Sequence, residues 1–160
     1  MFVIFFLSIF MLALNKDNNY NTQNLIGNKI SSFQLSSLRN NSFVTDEDLK
    51  QNRFTLINFF ASWCAPCRIE HEHLVKLNNK NINILGINFK DKKNNALNFL
   101  NNLGDPYSFI ASDPDGKASI LFGIYGIPES IIINNELEVI KKFVGPIDQE
   151  DYEEILRLIK

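Results

Sequence analysis

Cysteine is nearly absent from this chain. Of 160 residues, only those at 64 and 67 carry thiols. A framework of disulfides stapling a small fold is therefore excluded, because any intramolecular bridge must join these two and closes too small a loop to stabilise much. Histidine is as scarce, present only at 71 and 73. A structural zinc site needs four ligands. Cys67 and His71 share a helical face, but His73 lies about 200° further round, which argues against a zinc half-site. Basic runs are missing too. With 16 basic and 18 acidic residues the net charge is -2 and the pI is about 5.7, so nucleic-acid binding has little support. No internal repeat is visible.

What the chain does have is apolar substance: 45% hydrophobic residues, 14 of them Phe, enough to build one domain with a short extension. Residues 1–14 (MFVIFFLSIFMLAL) are apolar apart from Ser8. As a helix they span roughly 21 Å, short of a bilayer core of about 30 Å. That length fits a signal segment or a short membrane anchor. No Lys or Arg precedes the run and Lys16 follows it, so flanking charge sets no orientation. The polar stretch 15–24 reads as a linker, and 25–160 as the folded domain.

The two thiols sit in Trp-Cys-Ala-Pro-Cys, residues 63–67. Two intervening residues let both sulfurs meet across the first turn of a helix. A thiolate at a helix N-terminus is stabilised by the dipole and by free N–H groups. One sulfur can attack a substrate disulfide while the other resolves the mixed disulfide. Cys64, at the helix start, is expected to be exposed and to be the nucleophile, with Cys67 inside the first turn. Pro66 suits that turn, where its missing N–H is not needed. Trp63 is expected to pack beside the sulfurs and shield one side. The histidines are read as helix-surface or partly packed residues.

Periodicity predicts the elements around the motif. Phe33, Leu35 and Leu38 give an edge-strand pattern, and Thr45 caps a short helix over 46–51. Residues 54–60 (FTLINFF) and 82–89 (INILGINF) read as strands buried on both faces. Helices are predicted over 65–79, with Ile69, Leu74 and Leu77 inward, and over 91–103, with Ala96, Leu97, Phe99, Leu100 and Leu103 inward. A short extended piece at 107–111, a turn at DPDG and a short helix over 117–122 follow. Strands at 130–134 and 137–144 and an amphipathic helix over 149–159 complete the chain. The order implies an α/β fold with a central mixed sheet flanked by helices on both faces. Cys64 then sits at the C-terminal end of a strand, where open α/β sheets place their sites.

LINFFASWCAPCRIEHEHL (56–74), FGIYGIPE (122–129) and FVGPI (143–147) carry a family likeness. Together they resemble the thioredoxin superfamily, and within it the periplasmic thiol:disulfide interchange proteins of cytochrome c maturation, the DsbE/CcmG type. The resemblance covers roughly residues 25–160 and implies a thioredoxin-like fold. It implies that Pro128 is a cis-proline facing the disulfide, and that Ile127 pairs its backbone with an extended substrate. Asn58 stands where thioredoxins carry a buried acid, so protons for Cys67 must come from water or a nearby Glu. Glu70 and Glu129 match acids of this branch. Their negative charge near the sulfurs would raise the cysteine pKa and make Cys64 selective for a docked partner.

The resemblance implies a membrane-tethered protein on the periplasmic side of a bacterial inner membrane. It would reduce a disulfide in apocytochrome c, or in a partner holding it, and be re-reduced by a membrane thiol–disulfide electron donor. No cofactor is implied beyond the redox-active Cys64–Cys67 pair. Two rival readings share the sequence: a general reductase of exported proteins, and a module that mainly binds apocytochrome.

Overall fold

The computed structural model describes residues 25–159 together with Phe6; apart from Phe6, the expected apolar segment and linker lie outside the described residues. Among the described residues, no helix is long and apolar enough to cross a membrane.

The elements in chain order are β1 (Gln34–Ser36), β2 (Phe43–Thr45), α1 (Asp46–Lys50), β3 (Phe54–Phe60), α2 (Ala65–Asn78), β4 (Ile84–Phe89), α3 (Lys93–Leu103), β5 (Phe109–Asp113), α4 (Lys117–Leu121), β6 (Glu129–Asn134), β7 (Val139–Val144) and α5 (Gln149–Ile159). Five strands form one sheet in the order β5-β4-β3-β6-β7. β3, β4 and β5 run parallel, while β6 and β7 are antiparallel to their neighbours. The two parallel crossovers step in the same direction across the sheet. Right-handed connections therefore place α2 and α3 on one face, where α5 joins them.

That face holds a core of Leu56, Phe60, Cys67, Leu74, Leu77, Phe99, Ile132 and Ile155. The opposite face holds Ile57, Phe59, Leu85, Ile131 and Phe122, covered by α4, Leu49 of α1 and residues of the N-terminal stretch. β3 feeds both, which is why FTLINFF is apolar almost throughout. The expected mixed sheet with helices on both faces is what the chain forms.

The stretch from 27 to 38 runs across the second face and reaches both edges of the sheet. Gly27 donates to the Val139 carbonyl and Val139 to that of Asn28, at the β7 edge. Ile30 and Phe33 sink into the core between. Leu38 donates to the Ile110 carbonyl at 2.9 Å and Ser37 bridges Ala111, at the β5 edge. β1 pairs with β2 in a separate two-stranded ribbon. That partner strand was not expected, being only three residues long and flanked by polar ones. Asp48 closes the start of α1 by accepting from the Thr45 backbone and hydroxyl.

Two inward expectations fail, and His71 is more deeply buried than expected. Ile69 is 72% exposed and Leu103 41% exposed. On α2 the inward stripe is instead Cys67, Glu70, His71, Leu74 and Leu77, so a carboxylate and an imidazole occupy positions where only apolar residues were sought. His71 is buried, not on the helix surface. Its Nε2 lies 2.8 Å from the Gly104 carbonyl, and burial holds its pKa below the usual imidazole value, so it is neutral at pH 7.

Gly86 on β4 is required by close approach. A Cβ there would lie 2.8 Å from the Tyr107 ring, which itself stacks on Phe60 at 4.9 Å between centroids. Gly86→Ala is expected to destabilise the domain by about 1–3 kcal/mol through overpacking, read as a lower urea midpoint with an unchanged slope.

Candidate functional site

β3 ends at Phe60, and the chain turns through Ala61, Ser62 and Trp63 into α2. Asp91 fixes this turn. Its carboxylate accepts from the Ser62 N–H at 2.7 Å and from the Ser62 hydroxyl at 3.0 Å. Cys64 is the N-cap of α2, with extended backbone, and its sulfur accepts from the Cys67 N–H at 3.2 Å. Cys64 and Cys67 are joined as a disulfide with Cα atoms 5.3 Å apart. The expected exposure of Cys64 is not seen: it is 4% exposed and Cys67 1%. Both sulfurs belong to the core cluster beneath α2, because the bridge draws Cys64 in against Cys67.

Trp63 is pinned through its indole N–H, which donates to the Lys90 carbonyl at 3.1 Å. Its ring lies by Phe89, 6.5 Å between centroids, and it remains 59% exposed. Next to it a groove of about 240 Å³ is lined by Phe89, Lys90, Ile120, Ile124, Tyr125 and Ile127, among others. The Ile127–Pro128 peptide is cis. Ile127 packs against the cluster that contains Cys64 and Cys67.

Asn58 and Glu70 come together directly. The Asn58 amide donates to Glu70 Oε1 at 2.8 Å and to the Ser130 hydroxyl at 3.0 Å. Its carbonyl accepts from the Tyr107 hydroxyl at 2.8 Å. The other carboxyl oxygen of Glu70 accepts from the Ile147 N–H at 2.9 Å. Glu70 has no exposed surface. Burial pushes its pKa up to about 7, against the pull of the two hydrogen bonds from Ile147 and Asn58. Burial likewise keeps Tyr107 well above the ordinary phenol range, so it stays a donor. Thus an acid near its midpoint at neutral pH stands on α2 one turn after Cys67, on the same face.

Glu129 is elsewhere. Asn58 and Ser130 are paired in register and share a face, so Glu129, opposite Phe59, points to the other side of the sheet. There it is buried beside Lys142, whose Nζ lies 2.6 Å from Oε2, an ionic contact without hydrogen-bond direction. The two acids, each expected near the sulfurs, thus stand on opposite faces of the sheet. Lys142 was itself overlooked. Its signal was a lysine pair inside the strand LEVIKKFV, where alternation must turn one of the two inward. Tyr107, Ser130 and Asp91 were also missed, and none stands in a recognisable motif. Among the described residues, no three His, Cys, Asp or Glu side chains are grouped to hold a metal ion.

The raised pKa of Glu70 makes stability depend on pH. The folded state holds this proton over a range where the unfolded chain, with a carboxyl near 4.5, has lost it. Stability therefore falls as pH rises from about 4.5 to 7 and levels off above, by an amount on the order of 3 kcal/mol. Glu70→Gln is expected to remove this slope, measured by urea unfolding of the oxidised protein at pH 5 and pH 8. Equal slopes in variant and parent would contradict the assignment.

Comparison with known proteins agrees with this geometry. The family model described as Redoxin matches residues 25–156. The chain is 35% identical over 126 residues to the thiol:disulfide interchange protein HelX of Rhodobacter capsulatus, covering 79% of this chain and 72% of that protein. It is 49% identical over 104 residues to the thiol:disulfide interchange protein CycY of Rhizobium leguminosarum, covering 64% of this chain and 55% of that protein. Among solved structures, one described as a DsbE thiol:disulfide interchange protein of Chlorobium tepidum matches with a TM-score of 0.70 at 27% identity, covering 84% of this chain and 94% of that one. With a bridged Cys-X-X-Cys pair at the start of α2, the chain belongs to the redoxin family, among its thiol:disulfide interchange proteins, and is a thiol–disulfide oxidoreductase.

Proposed function

We propose that this protein is a reductant of cytochrome c maturation, tethered by residues 1–14 to the periplasmic side of a bacterial inner membrane through the linker 15–24. The observation that carries the exchange chemistry is the bridged Cys64–Cys67 pair at the N-terminus of α2, with a buried carboxylic acid on the same helix face; the reductive direction rests on the family likeness. The likeness to thiol:disulfide interchange proteins supports the choice of pathway.

In the reduced protein, the Cys64 thiolate attacks one sulfur of a disulfide in apocytochrome c or in a partner holding it. A Cys64–substrate bond forms, and the substrate's other sulfur leaves as a thiolate and takes a proton. Cys67 then loses its proton and attacks the Cys64 sulfur. The Cys64–Cys67 bond closes and the substrate leaves as a dithiol, having received two electrons. Glu70 is the group suited to take the Cys67 proton. Asn58 cannot titrate, but its amide holds Glu70 in place at 2.8 Å. A dithiol donor in the membrane returns the two electrons.

Docking follows from the loop before Pro128. Ile127 offers strand-like backbone to an extended peptide, Trp63 flanks the thiols, and the groove beside Ile127 takes an apolar side chain. Glu129 acts here through its ion pair with Lys142 rather than as a bare charge near the sulfurs.

Cys67→Ser leaves the mixed disulfide unresolved. Expressed in cells, this variant is expected to retain apocytochromes and a membrane thiol carrier on Cys64, identified by mass spectrometry after thiol quenching. Capture of many unrelated exported proteins would instead favour a general reductase. Full cytochrome maturation in a Cys64→Ser, Cys67→Ser double variant would favour a binding module.

A further inference from the structure

The Lys142 ammonium is buried, with 1% of its side chain exposed. A buried ammonium without partners costs several kcal/mol, and it has three protons to place. Every partner it finds serves one short segment. Its Nζ donates to the Gly123 carbonyl at 2.8 Å, lies 2.6 Å from Glu129 Oε2 and sits 5.5 Å from the centre of the Tyr125 ring. The other oxygen of Glu129 accepts from the Tyr125 N–H at 3.3 Å and the Gly126 N–H at 3.1 Å. The loop 123–126 is thus fastened at three backbone points to a pair of side chains on β6 and β7. Gly123 has φ 66°, so the loop begins in a backbone conformation that a side chain disfavours. It ends at Ile127, the residue that offers its backbone to a substrate.

We propose that Lys142 is a positioning residue of the docking edge: through Gly123 and Glu129 it sets the loop that places Ile127 for an extended cysteine-bearing peptide. The proposal rests on the docking role given to Ile127 above. The ion pair stands on the face of the sheet away from Glu70, so it acts on binding and leaves proton transfer at Cys67 alone. A lysine that merely filled the core would affect folding stability without separating binding from chemistry.

The experiment uses the reduced protein and a synthetic peptide with one intramolecular Cys-X-X-Cys disulfide. The reaction is followed by stopped-flow fluorescence of Trp63, the single tryptophan. Lys142→Met is expected to raise the half-saturating peptide concentration about tenfold or more while the limiting rate stays within about twofold; Lys142→Arg, which keeps the charge, is expected to restore most of the difference. Amide exchange of Tyr125 and Gly126 should quicken in Lys142→Met and not in Lys142→Arg. If Lys142→Met fails to fold, the double variant Glu129→Gln, Lys142→Met buries no unpaired charge and should show the same rise. An unchanged half-saturation in a folded variant, or a fall confined to the limiting rate, overturns the assignment of Lys142. Absence of saturation in the parent protein overturns the docking role of Ile127, and Lys142 with it.

Discussion

A carboxyl group with no exposed surface must either be hydrogen-bonded or keep its proton, and Glu70 stands at the balance between the two. Two donors reach it, one from β3 and one from the segment leading into α5. Through Asn58 the same group is tied to Ser130 on β6 and to Tyr107 ahead of β5. The elements that meet behind the disulfide are thus held to a single acid on the helix that begins with Cys64. The network satisfies both oxygens and still leaves the pKa near 7, because burial outweighs two hydrogen bonds. A site built this way can hold a proton at neutral pH beside a dithiol without placing a permanent charge there.

The second buried acid obeys the same constraint by a different route. Glu129 lies one residue before Ser130, and strand alternation sends it through the sheet to the other face. One of its oxygens finds an ammonium and the other two backbone amides. One face of β6 thus serves the thiols through Ser130, and the other serves the loop ahead of Pro128 through Glu129. The consecutive residues 128–130 link the cis-proline turn, the ion pair and the acid network without bringing the two carboxylates together.

Much of the fold was legible because its elements are periodic and well bounded. β3 and α5 fall where FTLINFF and the stripe of Tyr152, Ile155, Leu156 and Ile159 place them. The cysteine motif was legible from its spacing and the cis-proline through family likeness. What stayed hidden was polar burial. Hydrophobic spacing selects Ile69 as an inward residue of α2, yet one turn of that helix gives its inward positions to Glu70 and His71. Such residues become core residues only through partners far away in sequence, such as Ile147 for Glu70 and Gly104 for His71. The same reason hid Tyr107 and Lys142. The exposure expected of Cys64 follows from a helix-start argument that leaves out the bond to Cys67.

The N-terminal stretch that crosses the second face has a consequence for how the sheet meets other chains. Open strand edges are templates for aggregation and for unintended partners. Here one segment covers the start of β7 with residues 27–28 and the middle of β5 with residues 37–38. A stray extended peptide finds these backbone groups already taken. Under the docking role proposed for Ile127, an extended substrate is instead received at the short turn before Pro128. Covering parts of both edges thus narrows where a chance extended chain can add itself to the sheet.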